Sequence, residues 1–284
     1  MTAAGQRLIL CAGPQSSGST LVSWSFLQRA DTQGILDMEN DVLRTSFEHF
    51  RAPVTWCKMT VGAFRWAEVA GLYSDLGHEI VPLLVVRDLR DVLASLITKE
   101  YGFNGVSAEE PPLRIRLCRF LADWQLFRVC GWPMVRYESL VDQPGATLRR
   151  ACDDLGLPWD DAMMSWPKPA AEILIPGRPG YNSTFTATRG AESLEAAIVR
   201  WRRHADTGPP RLPEAELTWL ESTFAEFNEV CRYPARCSRD RAWPGGLPPP
   251  AYRDGPRRLA RISTQEVEGN LSAVNASGIA RLTC

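Results

Sequence analysis

The chain has 284 residues, of which 45% are hydrophobic and 23% are charged. This length and composition allow one large α/β domain or two small ones, and they exclude collagen-like, coiled-coil and wholly disordered proteins. The 32 basic and 33 acidic residues leave a net charge of −1, so the chain has no overall positive field for binding nucleic acid or an anionic membrane. We therefore expect no nucleic-acid partner, and any phosphate binding must depend on a local site.

Neither export nor a membrane span is indicated by the sequence. The longest uninterrupted apolar run, residues 80–86, has seven residues, whereas a transmembrane helix needs about 20. Eight cysteines are scattered without a C-x-x-C pair, a distribution typical of buried free thiols and not of zinc sites or disulfide frameworks. These features predict a cytoplasmic protein with no transmembrane segment and no metal.

The basic residues are unevenly divided between the two side-chain types. Lys58, Lys99 and Lys168 are the only lysines, and the other 29 basic residues are arginines. A reaction that needs a lysine therefore has few candidates in this chain.

Predicted strands alternate with predicted helices along the first 160 residues. The segment from Arg7 to Ala12 ends at Gly13, and a helical pattern from Leu21 to Leu27 follows it. The other predicted elements are strands at residues 54–58, 80–86 and 132–137 and helices that begin after Asp91 and span about 113–127 and 142–155. Alternation of this kind predicts a parallel sheet between two layers of helices.

The helix at residues 113–127 is expected to cover the sheet, with Arg114, Arg116 and Arg119 outside its apolar stripe. Residues 166–190 are rich in proline and glycine and predict a loop, and two amphipathic helices follow before residue 230. The Pro/Gly/Arg-rich segment 236–284 predicts an extension outside the core. The chain is thus divided into an α/β domain, 1–235, and this extension.

The segment from Gly13 to Thr20 has the composition of a phosphate-binding loop. It reads Gly-Pro-Gln-Ser-Ser-Gly-Ser-Thr and lies where the first strand turns into the first helix, so backbone N–H groups and a helix N-terminus can converge on an anion. In the pattern G-x-x-x-x-G-K-[ST], Gly13, Gly18 and Thr20 are in register, but Ser19 replaces the lysine. That replacement argues against nucleoside triphosphate hydrolysis. A purely structural Gly/Ser turn is the alternative.

A second polar cluster, Arg87 to Ser95, begins where the predicted strand at 80–86 ends. Ligands of open α/β sheets bind at this edge. Arg87 can fork onto a phosphate there, and Ser95 can add a hydroxyl hydrogen bond. The alternative is a solvated charge cluster in which the arginines pair with Asp88 and Asp91.

Together these segments resemble the sulfotransferases that use 3′-phosphoadenosine 5′-phosphosulfate (PAPS). The family's 5′-phosphosulfate loop, roughly P-[KR]-S-G-[ST]-T, is similar to Gln15 to Thr20. Its 3′-phosphate motif, R-[DN]-P-[KR]-D-x-x-x-S, is similar to Arg87 to Ser95, and its R-Y-E-D-L-x-x-x-P segment is similar to Val135 to Pro144. Thr188-Arg189-Gly190 is a weaker similarity. The resemblance covers about residues 7–158 and implies a three-layer, P-loop NTPase-like α/β fold.

The resemblance also implies roles for individual residues. Those that would hold the 5′-phosphosulfate are Ser16, Ser17, Gly18, Ser19 and Thr20. Arg87, Ser95 and Arg189 would hold the 3′-phosphate, and Tyr137 would contact the adenine, unless Tyr137 is simply packed in the core. The implied reaction transfers the sulfuryl group of PAPS, as co-substrate, to a hydroxyl of a small-molecule or glycan acceptor, and it requires no metal.

Ser16 departs from the family pattern, because family members usually carry Lys or Arg there to neutralise the leaving phosphate. Lys58, in the predicted strand at 54–58, is our candidate for the replacement cation. Many family members continue K-T-H at this point, with the histidine as base. Here Lys58 is followed by Met59 and Thr60, so the lysine is present and the histidine is not.

The reaction needs a general base for the acceptor's hydroxyl proton. Family members without the histidine use a glutamate in a segment that residues 35–40 resemble, so Glu39 is our candidate for the base. Asp37, Asp41 and His49 are competing choices, and Glu39 could instead be a solvated loop carboxylate.

Two other functions stay open at this point. Gly13 and Gly18 in register allow a P-loop kinase of small molecules, and Ser16 allows a nucleotide-binding protein without catalysis. The sequence indicates neither the acceptor nor the oligomeric state.

Overall fold

The computed structural model describes residues 7–36, 38, 50–62, 64–98, 112–173, 190–205 and 212–233. The strands are β1 (Arg7–Gly13), β2 (Thr32–Ile35), β3 (Val54–Thr60), β4 (Glu79–Val86) and β5 (Met134–Arg136). The helices are α1 (Ser19–Leu27), α2 (Trp66–Asp75), α3 (Leu89–Thr98), α4 (Leu113–Cys130), α5 (Tyr137–Asp142), α6 (Pro144–Leu155), α7 (Ala162–Ser165), α8 (Ala170–Ile173), α9 (Leu194–Ala205), α10 (Glu214–Thr223) and α11 (Ala225–Val230).

The strands form one sheet in the order β2-β3-β1-β4-β5, and each neighbouring pair is parallel. The chain runs from β1 to β2 and β3 on one side, then crosses back to β4 and β5 on the other. Such a reversal creates a crevice beside the carboxyl end of the central strand. Gly13 at the end of β1 is in register with Thr60 at the end of β3, so the segments that follow these strands share one edge.

The central strand is buried on both faces. Leu8, Leu10 and Ala12 lie in an apolar core with α2, α4 and α11, whereas Ile9 and Cys11 lie in a second core with α1, α6 and α9. Successive side chains of a strand point to opposite faces, so these two cores are the two sides of the sheet. The predicted three-layer α/β fold with a parallel sheet is confirmed.

Some predicted elements differ in extent from the observed ones. β3 continues to Thr60, two residues beyond Lys58. The strand predicted at 132–137 is shorter, and Tyr137 begins a helix. The last residue of β5, Arg136, pairs with Val86, the last residue of β4. A continuation of β5 to residue 137 would therefore have no residue of β4 to pair with. The second of the two amphipathic helices expected before residue 230 is interrupted at Phe224, whose φ of −109° and ψ of 23° are not helical.

Several expectations fall outside the described residues. They include the domain boundary at 235, the extension 236–284 and most of the loop predicted at 166–190. In the part of the chain that is described, no helix combines the length and the hydropathy needed to cross a lipid bilayer. Cys11, Cys57, Cys130, Cys152 and Cys231 are free thiols. Cys118 is disulfide-bonded, so the expectation of free thiols is wrong at that position.

Candidate functional site

The loop from Gly13 to Thr20 joins the end of β1 to the start of α1. Ser16 and Gly18 both have left-handed backbone conformations, with φ of 65° and 88°, and left-handed residues in a turn make neighbouring N–H groups converge. Gly18 is the N-cap residue of α1, whose first turn has no acidic residue and no capping side chain. The positive end of this helix is therefore suited to an anion.

The two glycines of the loop are required by close packing. A Cβ at Gly13 would lie 2.5 Å from Ser17 Oγ, and a Cβ at Gly18 would lie 2.2 Å from Cδ2 of Tyr137. The Tyr137 ring therefore lies against the loop. The guanidinium of Arg87 covers that ring, with Cζ 4.4 Å from the ring centroid, an attractive cation–π contact. Tyr137 thus lies against the loop and also packs against the core on the α1 face of the sheet, and its role toward adenine stays a prediction.

The two predicted phosphate-binding segments meet at Ser16. Arg87 Nη1 donates to the carbonyl oxygen of Ser16 over 2.8 Å, and Ser95 Oγ donates to Ser16 Oγ over 3.1 Å. Ser17 Oγ and Arg87 Nε are buried and have no hydrogen-bond partner, which is uncommon for buried donors. An oxyanion at this edge would supply acceptors for donors of this kind.

The charged residues beside Arg87 form both of the pairs that the alternative interpretation expected, Arg90 with Asp88 and Arg87 with Asp91. Arg90 binds Asp88 with two hydrogen bonds, of 2.9 Å from Nε and 2.5 Å from Nη2. Arg87 Nη2 lies 3.8 Å from Asp91 Oδ2, while its Nη1 reaches the loop. Arg90 therefore contacts only the turn through these bonds, whereas Arg87 contacts both the turn and the loop from Gly13 to Thr20.

A buried carboxylate, Glu138, fixes the turn that carries Arg87. Its Oε1 accepts from the backbone N–H of Asp88 over 2.9 Å, and its Oε2 accepts from Arg136 Nε over 3.2 Å and from the Tyr233 hydroxyl over 3.0 Å. Burial raises the pKa of Glu138, and the hydrogen bond from Asp88 opposes that rise. Burial, together with the neighbouring carboxylate, raises the pKa of Tyr233 well above its ordinary value. The sequence identified Glu138 only as part of a motif and missed Tyr233.

Lys58 lies on β3 in register with Cys11 of β1 and is only 2% exposed. Strand alternation places it on the face covered by α1, together with Trp56, and its Nζ donates to Thr60 Oγ1 over 3.4 Å. Burial raises the pKa of the Cys11 thiol to about 12, although the charge of Lys58 favours the thiolate. Met59 belongs to the opposite core. Lys58 is thus close to the sheet edge as expected, and its catalytic role stays a prediction.

The sequence pattern gave no indication that Arg116 contacts the loop. Arg116 was expected outside the apolar stripe of α4, but it is 6% exposed, and its Nη1 donates to Gln15 Oε1 in the loop over 3.1 Å. At about 100° per residue, Arg116 lies about 20° from Phe127 around the helix, so a helical wheel would have placed it at the border of the buried face. Arg114 is exposed as expected and forms an ion pair with Glu216.

The remaining predicted site residues are not placed by the structure. Glu39, Asp37, Asp41, His49 and Arg189 lie outside the described residues. Their roles stay predictions.

No protein-family model matches the chain, and no curated protein matches it. Two of the solved structures similar to it are sulfotransferase domains. One, from the Synechococcus PCC 7002 olefin synthase, is 14% identical with a TM-score of 0.46, over 77% of this chain and 94% of that chain. The other, from the curacin biosynthetic pathway, is 13% identical with a TM-score of 0.46, over 78% of this chain and 99% of that chain.

Proposed function

We propose that the protein is a sulfotransferase that moves the sulfuryl group of PAPS to a hydroxyl acceptor, a carbohydrate or a small natural product. The supporting observation is that the two segments predicted to bind phosphate meet at Ser16, where Arg87 and Ser95 contact the loop from Gly13 to Thr20. The loop offers a helix N-terminus, and the second segment offers a guanidinium and a hydroxyl. A nucleotide with a phosphate at each end would engage both segments.

In the proposed complex, each segment binds one end of the nucleotide. Arg87 and Ser95 exchange their hydrogen bonds to Ser16 for bonds to the 3′-phosphate, and Arg189 joins them. The groups that serve the 5′-phosphosulfate are the backbone N–H groups and hydroxyls of Ser16, Ser17, Gly18, Ser19 and Thr20. Tyr137, which lies against the loop, contacts the adenine.

The reaction needs a positive environment and a base. The acceptor oxygen attacks sulfur, and the bond between sulfur and the 5′-phosphate oxygen breaks. Its electron pair stays on that phosphate, so the 5′-phosphate of the departing 3′-phosphoadenosine 5′-phosphate (PAP) carries one more negative charge than it did in PAPS. Lys58 stabilises this charge, and Glu39 takes the hydroxyl proton, with Asp37, Asp41 and His49 as alternative bases.

Calorimetric titration with PAP tests the nucleotide preference. We expect wild-type protein to bind PAP at least about tenfold more tightly than AMP, because AMP lacks the 3′-phosphate that Arg87 and Ser95 would bind. A tenfold difference in affinity corresponds to about 1.4 kcal/mol. Arg87→Ala should remove most of that preference. Arg114→Ala, on the exposed face of α4, is the matched control and should bind both nucleotides as wild type does.

Radiolabelled sulfate transfer from PAPS to a panel of hydroxyl compounds tests the chemistry. A protein that does not bind PAP refutes the proposal. Preference for ATP with Mg²⁺ would indicate the small-molecule kinase instead, and PAP binding without transfer to any acceptor would indicate a nucleotide-binding protein without catalysis. Glu39→Gln and Lys58→Ala with unchanged turnover would refute the two assigned roles.

A further inference from the structure

The transfer proposed above requires positive charge at the 5′ end of the nucleotide, and we infer that Arg116 supplies part of it. This inference rests on the proposed function. The loop from Gly13 to Thr20 contains neither lysine nor arginine. A cation that faces the 5′-phosphosulfate must therefore come from another element of the fold.

Arg116 reaches the loop from the side opposite to Arg87. Its Nη1 donates to Gln15 Oε1 over 3.1 Å, and its Cδ lies 3.9 Å from where a Cβ would stand on Gly62, just after β3. Arg87 instead follows β4, and β1 lies between β3 and β4 in the sheet. The guanidinium of Arg87, which follows β4, and the side chain of Arg116, which passes beside the segment after β3, therefore approach the same loop from opposite sides of β1.

The two loop side chains that precede Ser17 face different partners. Ser16 Oγ accepts a hydrogen bond from Ser95, which belongs to the segment assigned to the 3′-phosphate. Gln15 is bound by Arg116. The acceptor on Gln15 is an amide oxygen, and this hydrogen bond directs the guanidinium toward the loop. This division assigns Arg87 to the 3′ end and Arg116 to the 5′ end.

Arg116 also complements Lys58 across the sheet. Lys58 lies on the face covered by α1, whereas α4, which carries Arg116, packs on the opposite face. During transfer an acceptor oxygen bonds to sulfur, the S–O bond to the 5′-phosphate breaks, and the electron pair remains on that phosphate. The proton released by the acceptor passes to a carboxylate or to water. A cation from each face would then oppose the growing charge on the leaving oxygen.

The first test compares two probes, PAP and adenosine 3′-phosphate, which lacks the 5′-phosphate. We expect Arg116→Gln to weaken PAP binding at least about tenfold and to leave binding of adenosine 3′-phosphate within about twofold of wild type. Arg114→Gln, on the same helix and with the same change of charge, should alter neither. An equal loss for both probes, or no loss for PAP, would overturn the inference.

The second test is a rescue. Adding Ser16→Lys to Arg116→Gln places a cation on the loop itself and should recover PAP affinity to within about threefold of wild type. No recovery would overturn the inference. Should Arg116→Gln show no cooperative unfolding, Arg116→Lys takes its place, because lysine cannot form the bidentate contact and PAP binding should still weaken. Unchanged PAP binding by that variant overturns the inference alone, whereas a wild-type protein that does not bind PAP overturns the proposed function as well.

Discussion

Replacing Gly18 by alanine tests whether the Tyr137 ring lies against the loop from Gly13 to Thr20. Gly18 has φ of 88°, and an added Cβ would lie 2.2 Å from Cδ2 and 2.8 Å from Cε2 of Tyr137. Gly77 is a matched control for the backbone effect. Its φ is 87°, and nothing lies within 4 Å of a Cβ built there.

The free energies of unfolding of the two variants should differ, because only the Cβ added at Gly18 meets the Tyr137 ring. A left-handed backbone costs an L-residue about 1–2 kcal/mol, so Gly77→Ala should lower the free energy of unfolding by about that amount. Gly18→Ala must also displace Tyr137 and weaken its contact with Arg87, a contact worth about 0.5–2 kcal/mol. Its total cost should be about 1.5–4 kcal/mol.

Urea denaturation and PAP calorimetry measure both consequences. Gly77→Ala should bind PAP as wild type does, and Gly18→Ala should bind it at least about tenfold more weakly, a loss of about 1.4 kcal/mol. In a Tyr137→Ala background the extra cost of Gly18→Ala should disappear. Equal costs for the two glycine variants in the wild-type background would refute the reasoning, as would an extra cost that persists without the Tyr137 ring.

Three further predictions concern buried polar groups. Tyr233→Phe removes one hydrogen bond to the Glu138 carboxylate and should lower the free energy of unfolding in urea by about 1.5–3 kcal/mol; a loss within experimental error would contradict this. Burial raises the pKa of Asp123 from 3.8 to about 6. Between these pH values the folded protein holds a proton that the unfolded chain releases, so stability falls as pH rises. Asp123→Asn should flatten that part of the stability curve by up to about 1.4 kcal/mol per pH unit, and parallel curves would contradict it. Lys58→Met should slow sulfuryl transfer about 10²- to 10³-fold, whereas Lys168→Met, which removes a donor to three backbone carbonyls, should lower the unfolding midpoint and leave the rate unchanged. A slower transfer in Lys168→Met together with an unchanged rate in Lys58→Met would contradict these two assignments.

The features predicted well from the sequence are those that depend on neighbours in the chain. An apolar run that ends at Gly13 and precedes a helical pattern requires no distant contact to be recognised. Parallel strands have their carboxyl ends at one edge of the sheet. This rule alone predicts that the segment from Arg87 to Ser95 lies near the loop. The contact at Ser16 agrees with that expectation.

The features missed depend on contacts between distant segments. Arg116 hydrogen-bonds to Gln15 across 101 positions, and Tyr233 hydrogen-bonds to Glu138 across 95. A polar residue near an apolar stripe is assigned to solvent because water is the usual partner of an arginine. That default fails when the packed fold supplies another acceptor, and periodicity carries no information about such acceptors.

The hydrogen bond between Tyr233 and Glu138 has a consequence for the order in which the protein assembles. During synthesis the loop from Gly13 to Thr20 and the turn at Arg87 are made early, and domains generally fold as units. The carboxylate that holds this turn gains its last partner only when residue 233 has been made. An N-terminal fragment that stops short of Tyr233 would therefore contain both segments proposed to bind phosphate and still lack a contact of the carboxylate that holds the turn at Arg87.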